Sequence, residues 1–183
     1  MILLGVGQRA EHGKSSFCKT IIEHCDRTGF KCGEYSISDS IIKYAVETGL
    51  LPEGIIRGEC SDEQVAVLVK LGNEKRRGNE DFWVDQIHTA IDRDQPKVAL
   101  IPNVRFPSEA DFVKSLGGWN VRVTRLNANG SRFISSSRNP NDETETSLEF
   151  WNWDFEILNM DGRPYWLRRQ AIGLFEYLKD GAE

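Results

Sequence analysis

The residues best placed to do chemistry stand at the very start of the chain, in Gly7-Gln8-Arg9-Ala10-Glu11-His12-Gly13-Lys14-Ser15. Glycine lets backbone N–H groups approach an anion, and a helix start turns its partial positive charge toward it. A lysine reaches the outer phosphates of a nucleoside triphosphate, and a hydroxyl serves magnesium. Gly13, Lys14 and Ser15 supply the end of that arrangement in order. Five residues rather than the usual four separate Gly7 from Gly13, so Gln8 takes the ordinary first glycine position and the loop is expected to run one residue long. The alternative is a plain glycine-containing turn with a surface lysine. His12 reads first as a loop side chain rather than a ligand or base.

Such a turn works only between a strand and a helix. Ile2-Leu3-Leu4-Gly5-Val6 is a short apolar run that fits a buried strand, and Phe17, Ile21 and Ile22 have helical spacing over Ser15 to Arg27. A second strand is expected at Lys31 to Ser38, then a helix from Asp39, whose side chain can cap it, through Glu47. Two amphipathic helices, Asp62 to Leu71 and Asp81 to Ile91, flank a polar, basic stretch at Gly72 to Glu80. Val98-Ala99-Leu100-Ile101 suits a central parallel strand buried on both faces, ending before Pro102 because a proline there would remove a ladder bond. Ser108 to Leu116 fits a helix, Trp119 to Leu126 a strand, Asp154 to Leu158 a last strand, and Arg163 to Leu178 a closing helix with Leu167, Ala171, Leu174 and Leu178 on one face. The segment from Asn127 to Glu145 is too polar to build core and reads as a functional loop. The tryptophans are expected mostly in the core, with Trp83 left open. Strands alternating with helices predict an α/β protein: a three-layer α/β/α arrangement around a parallel sheet, with its ligand at the carboxyl ends of the strands.

Composition agrees with one soluble domain. The chain has 183 residues, 39% hydrophobic and 28% charged, and no run of apolar residues long enough to span a membrane. No signal peptide is evident, which leads to the expectation of a cytoplasmic protein. Cys18, Cys25, Cys32 and Cys60 show neither CxxC spacing nor a His/Cys cluster, and read as free thiols. A net charge of −5 argues against bulk nucleic-acid binding. Local basic clusters, Lys75 with Arg76 and Arg77, and Arg122 with Arg125 and Arg132, suit a small phosphorylated ligand instead.

With Gly13-Lys14-Ser15 placed, segments along most of the chain resemble the bacteriophage-type deoxynucleoside monophosphate kinase family, a branch of the P-loop kinases related to adenylate kinase. The most specific stretch is Val104-Arg105-Phe106-Pro107-Ser108-Glu109-Ala110 with Leu116-Gly117-Gly118, which looks like that family's strand, Val-Arg-Phe-Pro-Asn-Glu loop, helix and double glycine. Three further segments agree in order: Ser38 to Lys43; Arg76 or Arg77 ahead of Asp81-Phe82-Trp83; and Glu145-Thr146 followed by Asp154 to Asn159.

The resemblance implies a single P-loop kinase domain over residues 1–183, with a helical monophosphate-binding region at about 39–95 and a lid at about 127–145. It implies an ATP-dependent phosphotransferase that uses Mg2+ and moves the γ-phosphoryl group to a (deoxy)nucleoside monophosphate, with a homodimer by analogy. ATP would lie on Gly7, Arg9, His12, Gly13, Lys14, Ser15 and Ser16. Lys14, Arg105, Arg132 and Arg138 would carry the positive charge of catalysis. Asp39, Lys43, Arg76, Arg77, Trp83, Arg105, Glu109 and Glu145 would face the acceptor, and Ser15 with Asn103 would hold the metal. For each arginine except Arg105, a solvated surface charge is the competing reading.

Three positions depart from that family, Pro102 among them, standing where an apolar residue is usual. Asn103 stands where an aspartate is general, and Ser16 where a second acidic or hydroxyl group lies beside the turn; Asp39 or Glu109 is a candidate to compensate. These departures keep two other readings open: a kinase acting on a hydroxyl of a modified base, free or in DNA, and a nucleotide-binding protein without catalysis.

Overall fold

The computed structural model describes residues 1–7, 9–56, 58–136 and 139–181. Within them the chain forms five strands and seven helices. It divides into two compact units, one made of residues 1–34 and 95–183 and the other of residues 35–94.

The larger unit is built on a five-stranded sheet, every neighbouring pair of which is parallel: β1 (Ile2–Gly7), β2 (Cys32–Glu34), β3 (Val98–Val104), β4 (Trp119–Leu126) and β5 (Phe155–Met160), in the order β2-β3-β1-β4-β5. One face is covered by α1 (Lys14–Thr28) and α7 (Pro164–Asp180). Phe17, Ile21, Leu167, Ala171, Leu174 and Leu178 pack there on Leu4, Val6, Leu100, Val121 and Ile157. The apolar face expected of the closing helix is therefore the one it buries. The other face takes α5 (Pro107–Ser115), whose Val113 closes on Gly5 so tightly that a Cβ added there would stand 2.7 Å from it. Cys25 and Cys32, from α1 and β2, lie side by side as free thiols, and burial pushes Cys32 up to about 12.

β3 runs past the point where the proline was expected to stop it. β2 pairs only as far as Leu100, so Pro102 falls where the strand has an open side, the place a proline is tolerated. Val6 pairs with Pro102 and Gly7 with Val104, which leaves Asn103 as an extra residue in a bulge at φ 62°. Asparagine is one of the few side chains that accept this left-handed conformation, and the bulge re-aims it at the end of the strand.

The smaller unit contains α2 (Ile37–Glu47), α3 (Asp62–Gly78) and α4 (Phe82–Asp94). α2 starts two residues earlier than expected because the cap is Ser36, whose Oγ accepts from the Asp39 N–H at 3.4 Å; Asp39 itself lies in the first turn. The expected second strand is cut to three residues for the same reason. α3 continues past Leu71, where its helix was expected to end, through most of the polar, basic stretch to Gly78. Gly72 does not break it but lets Ile41 of α2 come within 3.2 Å of where its Cβ would be, and Arg76 and Arg77 end up in the last helical turn. A Ser61/Gln64 capping box fixes its start.

Trp83 is the tryptophan the core takes most completely, at 1% exposure, its indole donating to the Gly72 carbonyl at 3.1 Å. The expectation of buried tryptophans fails most clearly at Trp166, which is 40% exposed.

Candidate functional site

β1 hands the chain to α1 through a turn held from three sides. Gly13 caps α1 at φ 101°, and a Cβ on it would lie 2.5 Å from Asn159 Nδ2, which donates to the His12 carbonyl at 3.1 Å. Only glycine meets both demands, the left-handed backbone and the close approach of β5. Lys14, the first residue of the helix, is buried at 4% exposure and donates from Nζ back to the carbonyl of Arg9, closing the turn on itself. Gly7 has a packing role: a Cβ there would meet the ring of Trp153 and stand 2.7 Å from the Val104 carbonyl.

His12 lies in the loop, where its first reading placed it, but as a buried and doubly bonded side chain. It is buried, its Nδ1 accepts from the Arg125 N–H at 3.2 Å, and its Nε2 lies 3.3 Å from the Phe133 carbonyl, so the neutral Nε2–H tautomer satisfies both contacts. Burial, then the neighbouring Lys14 charge, lowers its pKa from the usual 6.5 to about 4. It pins the turn to β4 and to the chain beyond it.

The third side is a strap that begins with α6 (Glu143–Thr146). Glu145, 3% exposed, accepts from the Ala10 N–H of the turn at 2.8 Å and from Arg105 Nη1, which also donates to the Thr144 carbonyl at 3.1 Å. Glu149 Oε1 accepts from Arg9 Nη2 at 3.1 Å and from Arg132 Nη1 at 3.5 Å. Arg132 has its pKa lowered by burial first and then by the charges of Arg122 and Arg9. The segment judged too polar for core thus places a carboxylate inside it.

Glu109 caps α5: its carboxylate accepts from the Arg105 and Phe106 N–H groups at 2.7 and 3.3 Å. Asp39, Lys43, Arg76, Arg77 and Trp83 all belong to the helical unit; Lys43 pairs with Glu47 at 3.7 Å and Trp83 serves packing. Arg138 and Gln8 lie outside the described residues.

Two cavities flank the turn. One, of about 450 Å3, is lined by Ala10, Glu11, Gly13, Lys14, Ser15 and Ser16 together with Asn103 and Arg105 from the end of β3. The other, of about 600 Å3, shares Ser16 and runs along Lys19, Thr20, Arg125, Asn159, Asp161 and Tyr165. Arg125 is fixed in its wall, with Nε on Asp161 Oδ1 at 2.6 Å and its guanidinium 3.9 Å over the Phe133 ring. Sequence reasoning gave no role to Glu149, Asp161 or Trp153. Asn159 was given no role of its own, although a polar residue near the end of a strand is a usable signal.

A parallel sheet in the order 2-3-1-4-5, with a left-handed glycine and a buried lysine opening the helix after β1, defines the three-layer α/β fold of the P-loop kinases. The fold recurs in one solved structure. A "putative kinase" from Chloroflexus aurantiacus is 13% identical with a TM-score of 0.50 over 98% of this chain and 97% of that chain. The APS kinase CysC Cys556Ala mutant from Mycobacterium tuberculosis is 12% identical with a TM-score of 0.47 over 97% and 96%. At such identities the likeness is one of fold. No family model matches the chain, and no curated protein matches it. Among the described residues no helix is long and apolar enough to cross a membrane.

Proposed function

We propose that the chain is an ATP-dependent phosphotransferase whose acceptor is a (deoxy)nucleoside monophosphate, with a modified base within its range. The observation that carries this reading is the cavity over the turn, where Lys14, Ser15, the N-terminus of α1, Asn103 and Arg105 converge. A triphosphate there would take over the Lys14 contact now made to the Arg9 carbonyl, while the adjoining cavity beside Arg125 and Tyr165 offers room for a nucleoside. Charge neutralisation and alignment account for most of the rate in such transfers, and an acceptor that is already a phosphate anion needs no strong general base.

Ser15 and Asn103 present neutral oxygen donors to the same cavity, and among the described residues no cluster of three or more His, Cys, Asp or Glu could cage a metal. That donor set fits a magnesium ion held mainly by phosphates and water, which would supply charge neutralisation on the phosphates. A second reading, a nucleotide binder without turnover, is favoured by the same Asn103, which lacks the charge of an aspartate.

The test is ADP formation with ATP, magnesium and each deoxynucleoside monophosphate in turn. Acceptor-dependent turnover is expected, falling about 10²–10³-fold in Lys14→Ala. ATP binding with no turnover on any monophosphate moves the assignment to another acceptor or to the binder.

A further inference from the structure

The basic cluster Arg122, Arg125 and Arg132 is split by the fold. Arg125 is occupied by Asp161 and Phe133. Arg122, on β4, pairs in register with Gly7 of β1, and it and Arg9 are the two other positive charges that act on Arg132. Two carboxylates serve these three guanidinium groups incompletely. Glu149 is shared by Arg9 and Arg132 at 3.1 and 3.5 Å. Glu156 stands 3.7 Å from Arg122 Nε, beyond hydrogen-bond length, and its Oε1 is already bonded by Thr124 Oγ1 at 2.6 Å. Arg9 Nε and Arg122 Nε are consequently buried donors without a hydrogen-bond partner among the described residues. A buried donor left unmade costs free energy, and guanidinium forks match tetrahedral oxyanions.

We propose that Arg9, Arg122 and Arg132 form a second oxyanion seat, built for a phosphoryl group, which the Glu149 carboxylate fills until that group displaces it. Glu149 has one-third of its side chain exposed, between the buried Leu148 and the fully exposed Phe150, so it can leave by side-chain rotation while Leu148 keeps the strap anchored. The seat deepens the phosphotransfer reading and rests on it for its biological source, since Arg9 belongs to the turn assigned to ATP. The phosphoryl group is then either the γ-phosphate of the triphosphate or the phosphate of the acceptor.

Calorimetric titration of inorganic phosphate into Lys14→Ala reads the seat with the contribution of the turn lysine removed. Binding should persist there, weaken about tenfold or more when Arg122→Gln is added, and tighten severalfold when Glu149→Gln removes the competing carboxylate. Arg122→Lys, which keeps the charge but loses the fork, should also weaken it if Arg122→Gln does not fold. Equal phosphate affinity with and without Arg122 overturns the seat, as does absence of binding in Lys14→Ala both with and without Glu149→Gln.

In wild type, phosphate that binds alongside ADP but not alongside the β,γ-imido triphosphate assigns the seat to the γ-phosphate. Binding alongside both assigns it to the acceptor. Failure of either nucleotide to bind would sink the ATP assignment while leaving the phosphate titration to judge the seat.

Discussion

The turn at residues 7–16 and the strap at residues 143–153 meet at one site but are made by opposite means. The turn is local: Gly13, Lys14 and the start of α1 do their work within a few residues of each other, and even the Lys14 ammonium bonds back to Arg9 only five positions away. The strap is entirely long-range. Glu145 reaches Ala10 across 135 positions and Arg105 across 40, and Glu149 reaches Arg9 across 140. A motif can encode the first kind of arrangement because chemistry fixes its spacing. The second is specified by the sheet, which brings the ends of β1, β3 and β4 together.

If the strap is what holds the turn and Arg105 in register, breaking it should cost more than any change within the turn. Glu145→Ala leaves the Arg105 guanidinium, 13% exposed, without its carboxylate and the Ala10 N–H without its acceptor. Stability should fall by about 3–5 kcal/mol in chemical denaturation, the usual result of orphaning one member of a buried pair. Glu149→Ala, a carboxylate with one-third of its side chain exposed, should cost about 1 kcal/mol or less. Equal losses would mean that the strap is held by Leu148 and the tryptophans rather than by its ion pair.

The same division explains what could be read in advance. The strands, the closing helix and the glycine-rich turn follow from apolar runs, a 3.6-residue period and a motif, all of them short-range signals. Errors arose where two local signals competed. Ser36 and Asp39 are both good caps three residues apart, and only packing selects the first; Gly72 looks like a breaker until Ile41 is seen beside it. Pro102 should have stopped β3, but nothing in the sequence shows that β2 ends opposite Leu100. The polarity of residues 127–145 keeps its described residues exposed or half-buried up to Thr144, and what it hides is Glu145: a glutamate whose hydrogen bonds are met by an arginine and an N–H can be buried as completely as a leucine.

His12 tests the comparison from the side of the turn, because it ties that turn to β4 through hydrogen bonds only a neutral imidazole makes fully. Its pKa is depressed from 6.5 to about 4, so the unfolded chain binds a proton in this range before the folded one does. The contribution is whole above about pH 6.5 and lost as pH falls toward 4, with a difference on the order of 3 kcal/mol. Denaturation of wild type and His12→Gln at several pH values should give curves that converge as pH drops through that window. Parallel curves would place the imidazole in solvent and detach the turn from β4.

The smallest expected effect separates strain from collision. Gly13 and Gly130 both have positive φ, 101° in the turn and 82° in the loop after β4, but only Gly13 has a neighbour where a Cβ would go. Gly130→Ala should therefore cost about 1 kcal/mol, the strain of a left-handed alanine alone. Gly13→Ala adds the clash with Asn159, 2.5 Å from the new carbon, and should cost roughly 2–3 kcal/mol while displacing the amide that holds the His12 carbonyl. Pairing Gly13→Ala with Asn159→Ala removes the collision and should bring the penalty of the glycine change down to that of Gly130→Ala. A double mutant that loses the full sum of both changes would show that α1 needs glycine at this position for its backbone alone, and that the contact with β5 adds nothing to the turn.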